Sequence, residues 1–435
     1  MKTRVLYVCH NHPDVRPGGA EAYALELYQA MRDSDEFEPY FLAKAGPPMS
    51  PALQRRSSSP FATVNDDPHQ HFIYTDMGAY DRVMGVSTDR DLTTRNFHDF
   101  LTAIKPDIVH FQHTLFLGYD LIREARNTLP NAPIFYTLHE YLPICHRNGQ
   151  LVRLMNDELC TTPTPHRCNE CFPNISPETF FLRKRFIQSH FEHVDQFIAP
   201  SRFLLERYVD WGIPRSKIHF EDYGRQPSAP LPESNRPGPR NRLGYFGQFT
   251  PNKGVNVLLK AMRLLMGAGD DVALRLHGAN LEIQPKPFQN EFVELVAATS
   301  PAVTLIGRYD HRELPRLMAA VDWVVVPSIW WENSPLVIQE AFQHGRPVIC
   351  SDVGGMAEKV ADGVSGLHFR VGDPGSLADV IRRAVRSREQ WKRLRGGIPP
   401  IHAMSDHVSN MSQMYADQLA RRGSSEPRPA SVVHG

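Results

Sequence analysis

At 435 residues, 41% hydrophobic and 22% charged, the chain has a globular composition and is too long for one ordinary core, so two domains are expected. Its 48 Lys and Arg balance its 48 Asp and Glu, which excludes a general electrostatic affinity for nucleic acid. No apolar run is long enough to span a membrane and Met1–His10 lacks a signal-peptide core, so the sequence predicts a cytoplasmic protein.

In chain order, short and nearly continuously apolar runs at 4–10, 38–46, 71–77, 107–113, 133–139 and 196–201 read as parallel strands buried on both faces, with helical stretches between them. Residues 47–60 read as an exposed loop. GRQPSAPLPESNRPGPR (224–240), with five prolines and no apolar periodicity, reads as a linker. The pattern then restarts at 242–248, 272–279, 303–308, 323–328, 347–352 and 366–370, with helices such as 255–269 intervening. Alternation on both sides of a linker predicts an α/β protein of two Rossmann-like, doubly wound parallel-sheet domains. The expected boundaries are an N-terminal domain at 1–223 with a cysteine-rich insertion at 140–175, a linker at 224–240 and a C-terminal domain at 241–400. A helix at 401–422 is expected to pack back on the first domain, and 423–435 to be a disordered tail. Ligands of such sheets bind beyond the carboxyl ends of the strands, here in a cleft between the two.

The stretch PSIWWENSPLVIQEAFQHGRPVICSDVGG (327–355) places Glu332 and Glu340 in apolar surroundings. Ser334 as N-cap, Pro335 at the first position and Gly345 as stop predict a helix from about Pro335 to His344. Glu332 then lies in the turn after a strand, and Glu340 on a helix face shared with Leu336 and Val337. The helical rise puts the carboxylates roughly 9–12 Å apart, too far to share a proton but suited to gripping two parts of one hydroxyl-rich ligand. The competing reading pairs Glu340 with a buried arginine and leaves Glu332 exposed, since an unpaired buried carboxylate is costly.

Together with GRPVICSDVGGMAEKVADGVSGLHF, this stretch resembles the E-x7-E signature of the retaining family-4 glycosyltransferases, enzymes of the GT-B fold. The resemblance covers most of the chain and is strongest over 242–370. It implies that Glu332 contacts the donor sugar and Glu340 the ribose hydroxyls of the nucleotide. The amides of Asn333, Ser334 and Leu336 would face the sugar and diphosphate at a helix N-terminus. In PGGAEAYALEL (17–27), the resemblance places Gly18 and Gly19 against the donor diphosphate. In YFGQFTPNKGV (245–255), Lys253 would neutralise that diphosphate, but Gln248 stands where the family has arginine, which leaves the site one cation short; Arg308 and Arg16 are candidate replacements. His139 in TLHEY (137–141) matches a histidine facing the donor sugar. Arg308 and Tyr309 in GRYDHREL (307–314) match the loop that brackets the nucleobase.

The activity so implied is retaining transfer of a sugar from a UDP- or GDP-sugar to a hydroxyl of a glycan or lipid-linked glycan, without a divalent metal in the chemistry. Glu332, His139 and Lys253 would be the catalytic group, working at the inner face of the plasma membrane in cell-envelope or exopolysaccharide synthesis. Two alternatives are a non-catalytic nucleotide-sugar-binding subunit, for which Gln248 leaves room, and a nucleotide-sugar epimerase on the same fold.

Two features stand apart. Cys145, Cys160, Cys168 and Cys171, with one CxxC, are the ligand inventory of a structural zinc site, with His146 and His166 as spare ligands; free or redox-active thiols and an iron–sulfur cluster remain alternatives. Residues 175–195 form an amphipathic helix whose stripe of Phe180, Ile187, Phe191 and Val194 lies beside Arg183, Lys184 and Arg185. It reads either as a helix packed on the first sheet or as a peripheral membrane contact.

Overall fold

A computed structural model describes residues 2–16, 18–45, 61–64, 67–74, 77–88, 94–227 and 238–424. The strands are β1 (Thr3–Cys9), β2 (Phe37–Ala45), β3 (Phe61–Val64), β4 (Asp67–Tyr74), β5 (Tyr80–Asp81), β6 (Val86–Ser87), β7 (Ile108–Phe111), β8 (Ile134–Thr137), β9 (Gln196–Ala199) and β10 (Ile218–Phe220) in the first half. The second half holds β11 (Arg242–Phe246), β12 (Ala273–His277), β13 (Val303–Gly307), β14 (Trp323–Val326), β15 (Val348–Ser351) and β16 (Gly366–Phe369).

They form an eight-stranded sheet in the order β10-β9-β8-β7-β1-β2-β4-β3 and a six-stranded sheet in the order β13-β12-β11-β14-β15-β16, with β5 and β6 as a separate small hairpin. All neighbours in the two large sheets are parallel except β3 and β4. This is the GT-B arrangement. Apolar residues occupy both faces of the central strands because helices cover both sides: Leu6 and Val8 of β1 enter one core, and Val5, Tyr7 and Cys9 the other. The same split separates Tyr245 from Phe246 on β11. Runs without two-residue alternation are what such sheets require, and every apolar run expected as a strand is one. β3, β5, β6 and β10 had no such signal; they are short and lie at sheet edges or outside the large sheets.

In each sheet the strand order reverses once, between β1 and β7 and between β11 and β14. The carboxyl ends flanking these switch points carry His10 and Gln112–His113 in the first sheet, and Gln248 and Ser328 in the second.

The last helix, Met404–Ser424, returns to the first sheet. Tyr415 is buried there, its hydroxyl 3.1 Å from Tyr7 Oη and 2.6 Å from His110 Nδ1. The expected loop at 47–60, most of the linker (228–237) and the tail from 425 lie outside the described residues. No described helix is long and apolar enough to cross a membrane.

The helix Pro177–Phe191 is capped by Ser176 with Pro177 at its first position, as expected. Its apolar stripe is not available to a membrane: Phe180, Ile187, Phe191 and Val194 are buried, the last three in the first core. Arg183 is buried too, donating to the carbonyls of Leu142 and Pro143 at 2.6 Å each. Phe181 and Leu182 are the large apolar residues this helix exposes.

Candidate active site

β14 ends in Pro327–Ser328, and the chain then turns before the helix Leu336–Gln343. In that turn Glu332 is 5% exposed, and its Oε1 accepts from Lys253 Nζ at 2.6 Å and from Ser328 Oγ at 2.7 Å. Its second oxygen accepts nothing among the described residues and is not sealed from solvent. Lys253, expected to face a diphosphate, thus holds Glu332.

The turn is shaped from behind by a glycine pair. The Gly355 amide donates to Glu332 O at 2.7 Å, and a Cβ on Gly355 would fall 1.3 Å from Asn333 O. Only a residue without a side chain lets these two backbones approach so closely.

Asn333, Ser334 and Leu336 all lie at the gap, but the two polar side chains tie the halves together. Asn333 Oδ1 accepts from Ser201 Oγ at 2.7 Å, and its Nδ2 donates to the carbonyls of Leu138 and His139 at 3.2 and 3.3 Å. Ser334 Oγ donates to Asp222 Oδ1 at 2.9 Å, and Asp222 also receives Lys359. Ser334 is not the N-cap; Pro335 is, without a side-chain cap, and the helix runs Leu336–Gln343 rather than from Pro335 to His344. Leu336 lies against Gly19, at 3.7 Å from where its Cβ would stand. Gly18 and Gly19 open the helix Gly19–Arg32 as expected, with Gly18 as N-cap in an extended conformation.

Glu340 is 8% exposed. Its Oε1 accepts from Arg225 Nη2 at 3.2 Å, and Arg225 Nη1 also holds Glu26 at 3.0 Å. The competing reading of the sequence, a buried arginine paired with Glu340, is therefore correct as to the pair. Arg225 does not belong to Glu340's own core, however: it stands at the start of the linker and reaches Glu340 across the gap. Glu340 Oε2 has no partner among the described residues and is not sealed, and His311 Nδ1 lies 3.9 Å from Oε1. Burial raises the Glu26 carboxyl above its usual range, an effect Arg225 only partly offsets.

Two residues before His311, Tyr309 lines a cavity of about 270 Å³ with Gln248, Arg308, Gly247, Gly278, Ala279 and Asn280. Gln248 and Arg308 are thus brought to one cavity, where the arginine stands beside the glutamine that leaves the motif a cation short. Arg16 lies with the first half instead.

His139 ends the segment after β8. Its Nδ1 lies 2.6 Å from Tyr223 Oη and its Nε2 3.0 Å from Gln112 Oε1, so both ring nitrogens are engaged. Burial, reinforced by His113, His10 and His110, holds the ring well below its usual pKa and hence neutral. Beside it, His10 Nε2 pairs with Glu21 at 3.0 Å and His113 Nε2 with Glu140 at 3.2 Å, and the two rings are 4.2 Å apart. Burial, then His113, brings His10 down to about 4.

Sequence reasoning missed Arg225, Ser201, Asp222, Tyr223, Glu26 and Ser328. Their partners lie on distant segments, apart from Ser328, and none carries a local signal.

The four clustered cysteines come from a turn, a bridged loop (Val152 with Leu159) and the helix Pro165–Cys171. All are unbonded thiols. Burial raises Cys145, Cys160 and Cys168, the last to about 12, and neighbouring thiols of the cluster add to each shift. They are neighbours, but not at bonding distance from one ion. Among the described residues only Glu221, His402 and His407 place three ligand atoms within 4.8 Å of one another.

The sequence model of a family described as "Glycosyltransferase Family 4" matches residues 17–220, and that of "Glycosyl transferases group 1" matches 240–387. A D-inositol 3-phosphate glycosyltransferase of Nocardioides sp. is 33% identical over 278 residues, 59% of this chain and 57% of that protein. A lipopolysaccharide 1,2-N-acetylglucosaminetransferase of Salmonella typhimurium is 26% identical over 209 residues, 45% of this chain and 54% of that protein. The chain spans about half the length of the curated relatives it matches. Among solved structures, sucrose-phosphate synthase from Thermosynechococcus elongatus superposes with a TM-score of 0.70 at 18% identity, over 96% of this chain and 100% of that one. Anabaena Alr3699/HepE in complex with UDP and glucose gives 0.64 at 16% identity, over 95% and 100%.

Proposed function

This chain belongs to the family-4 glycosyltransferases of GT-B fold, and from that premise we propose that it transfers a sugar from a nucleotide-sugar to an acceptor hydroxyl with retention at the anomeric carbon. One observation carries the reading. Glu332 and Glu340 stand at two ends of one turn–helix unit in the gap, each with one oxygen held and the other open to a ligand. Glu332 orients the donor sugar and Glu340 holds the ribose hydroxyls. The base lies in the cavity of Gln248, Arg308 and Tyr309, and the diphosphate between the Gly18–Gly19 loop and the amides at the start of Leu336–Gln343. Lys253 then turns from Glu332 toward the diphosphate, with Arg308 as second cation. His139, neutral and fixed by Tyr223 and Gln112, walls the sugar pocket. The departing diphosphate takes the acceptor's proton as the acceptor oxygen bonds to the anomeric carbon on the same face, so neither a protein nucleophile nor a divalent metal enters the step.

The donor expected is a UDP- or GDP-sugar, and the UDP and glucose of the Anabaena neighbour's complex support the nucleotide-sugar class. A glycan or lipid-linked acceptor in bacterial envelope polysaccharide synthesis, met at the cytoplasmic face of the membrane, fits the lipopolysaccharide transferase among the relatives.

A thermal-shift screen against UDP, GDP, ADP and their sugars identifies the donor, and with that donor Glu332→Ala is expected to lose about a hundredfold or more in turnover with its melting temperature kept. Near-normal transfer by this variant removes Glu332 from the mechanism. Wild-type transfer is expected to survive excess EDTA; loss that added Mg or Mn restores contradicts the metal-free step.

A further inference from the structure

Lys44, at the carboxyl end of β2, is 3% exposed, yet among the described residues no carboxylate, carbonyl or hydroxyl accepts a hydrogen bond from its ammonium. Burial of most of the side chain, together with nearby Arg16, lowers the ammonium to about 8, while its Nζ is not sealed from solvent. Its Nζ lies 5.1 Å from the centre of the Phe116 ring, and the Arg82 guanidinium lies 5.3 Å from the same centre. Phe116 is held in the left-handed region at φ 61°, a strained setting for an aromatic residue, and Tyr80 meets its ring edge-on at 5.2 Å.

The acids nearby do not answer this charge. Glu21 is paired with His10, and Glu140 with His113 and the Leu142 amide. Arg16 and Arg82 are exposed and in no ion pair among the described residues. Arg82 and Tyr80 also line a cavity of about 220 Å³ whose walls include Arg147, Arg183 and His146 and, among the described residues, hold no carboxylate. Arg183 is bound to backbone carbonyls and Arg147 to carbonyls and to the Asp157 carboxylate at 3.2 Å, but His146 Nδ1 is buried without a partner.

We infer that this side of the gap binds an anionic group of the acceptor, a sugar phosphate or sugar carboxylate, with Lys44 as its central cation, Arg82 and Arg16 flanking it, and the neighbouring cavity taking the rest of that sugar. The inference rests on the glycosyltransferase reading for the word acceptor, but not for the anion site itself. An anion with two or three oxygens satisfies the three cations at once. It also explains why a lysine is kept in a place where an apolar residue would cost less.

The test titrates glucose, glucose 6-phosphate and glucuronate into the full chain, with and without a saturating nucleoside diphosphate. The two anionic sugars should bind about tenfold or more tighter than glucose, weaken with added salt, and lose that advantage in Lys44→Met and, in part, in Arg82→Ala. Melting temperatures check that both variants fold. Equal binding of the three sugars overturns the inference, as does a Lys44→Met protein that keeps the preference. If Lys44→Met instead weakens the nucleotide, Lys44 belongs to the donor diphosphate and the inference also falls. Should the wild type bind no nucleotide, the donor reading fails while the titration without nucleotide still reads the anion site.

Discussion

Glu340 and Arg225 meet across the gap, and what that pair does depends on where the arginine comes from. An arginine of the second core would have taken Glu340 out of reach of a ligand; one on the linker leaves an oxygen open and ties the two halves. Arg225→Met removes the shared cation of Glu26 and Glu340, and breaking a buried pair costs about 3–5 kcal/mol, so a clear fall in melting temperature is expected, which Arg225→Lys should partly recover. Gly355→Ala acts through the backbone. A Cβ 1.3 Å from Asn333 O cannot be relieved by any rotamer, so the Glu332 turn must move. A shift of that size is expected to cost turnover about a hundredfold, read as kcat in a transfer assay. Unchanged kcat in a folded variant contradicts the packing account. At this scale the motif residues were legible because their spacing is local. The partners were not: Ser201 and Asn333 are 132 positions apart, and the acid that receives the Ser334 hydroxyl, Asp222, is 112 positions away.

Periodicity named the strands and helices well, because burial on two faces or one leaves a repeating trace in the sequence. It did not name what covers a face. The stripe on Pro177–Phe191 fits a core or a membrane equally by pattern, and the first sheet is its partner. The cysteine-bearing insertion poses the same difficulty with ligands in place of apolar residues. Arg147 bonded to the carbonyls of Val152 and Arg153, and Arg153 paired with Glu170, already hold its loop to its helix. No three of the four sulfurs lie within 4.8 Å of one another; we propose that a zinc ion draws them together and so completes this clip. About one equivalent per purified chain is expected, and less than about a tenth would leave four ordinary thiols.

Two passages of chain join the halves, at 224–226 and 402–404, and they pair: the Arg225 amide donates to His402 O and the Met404 amide to Arg225 O, at 2.9 Å each. Beside them Glu221 accepts from His402 Nε2 (2.7 Å), His407 Nδ1 (2.8 Å) and Asn410 Nδ2 (3.1 Å). Burial alone would raise Glu221, but these hydrogen bonds bring it down to about 2 from an ordinary 4.5, so its contribution to stability is present above 4.5 and lost as the pH falls toward 2. His402 is raised above its ordinary 6.5 chiefly by the Glu221 hydrogen bond, so its contribution is present below 6.5 and lost as the pH rises through the raised value. The melting-temperature difference between wild type and Glu221→Gln should be largest between pH 4.5 and 6.5 and shrink above neutrality. A difference independent of pH would assign this junction to packing alone. Nothing local in the sequence marks it, since its members come from both ends of a crossing.

The claim on which all three scales converge is that Glu340 grips the ribose of a bound nucleotide. The direct measurement is an equilibrium titration of the best-binding nucleoside diphosphate and its 2′,3′-dideoxy counterpart against wild type and Glu340→Gln. The ribose hydroxyls are expected to strengthen binding about tenfold in the wild type, as charge-assisted hydrogen bonds do, and to lose most of that advantage in Glu340→Gln. Equal affinity of the wild type for the two nucleotides would contradict the account.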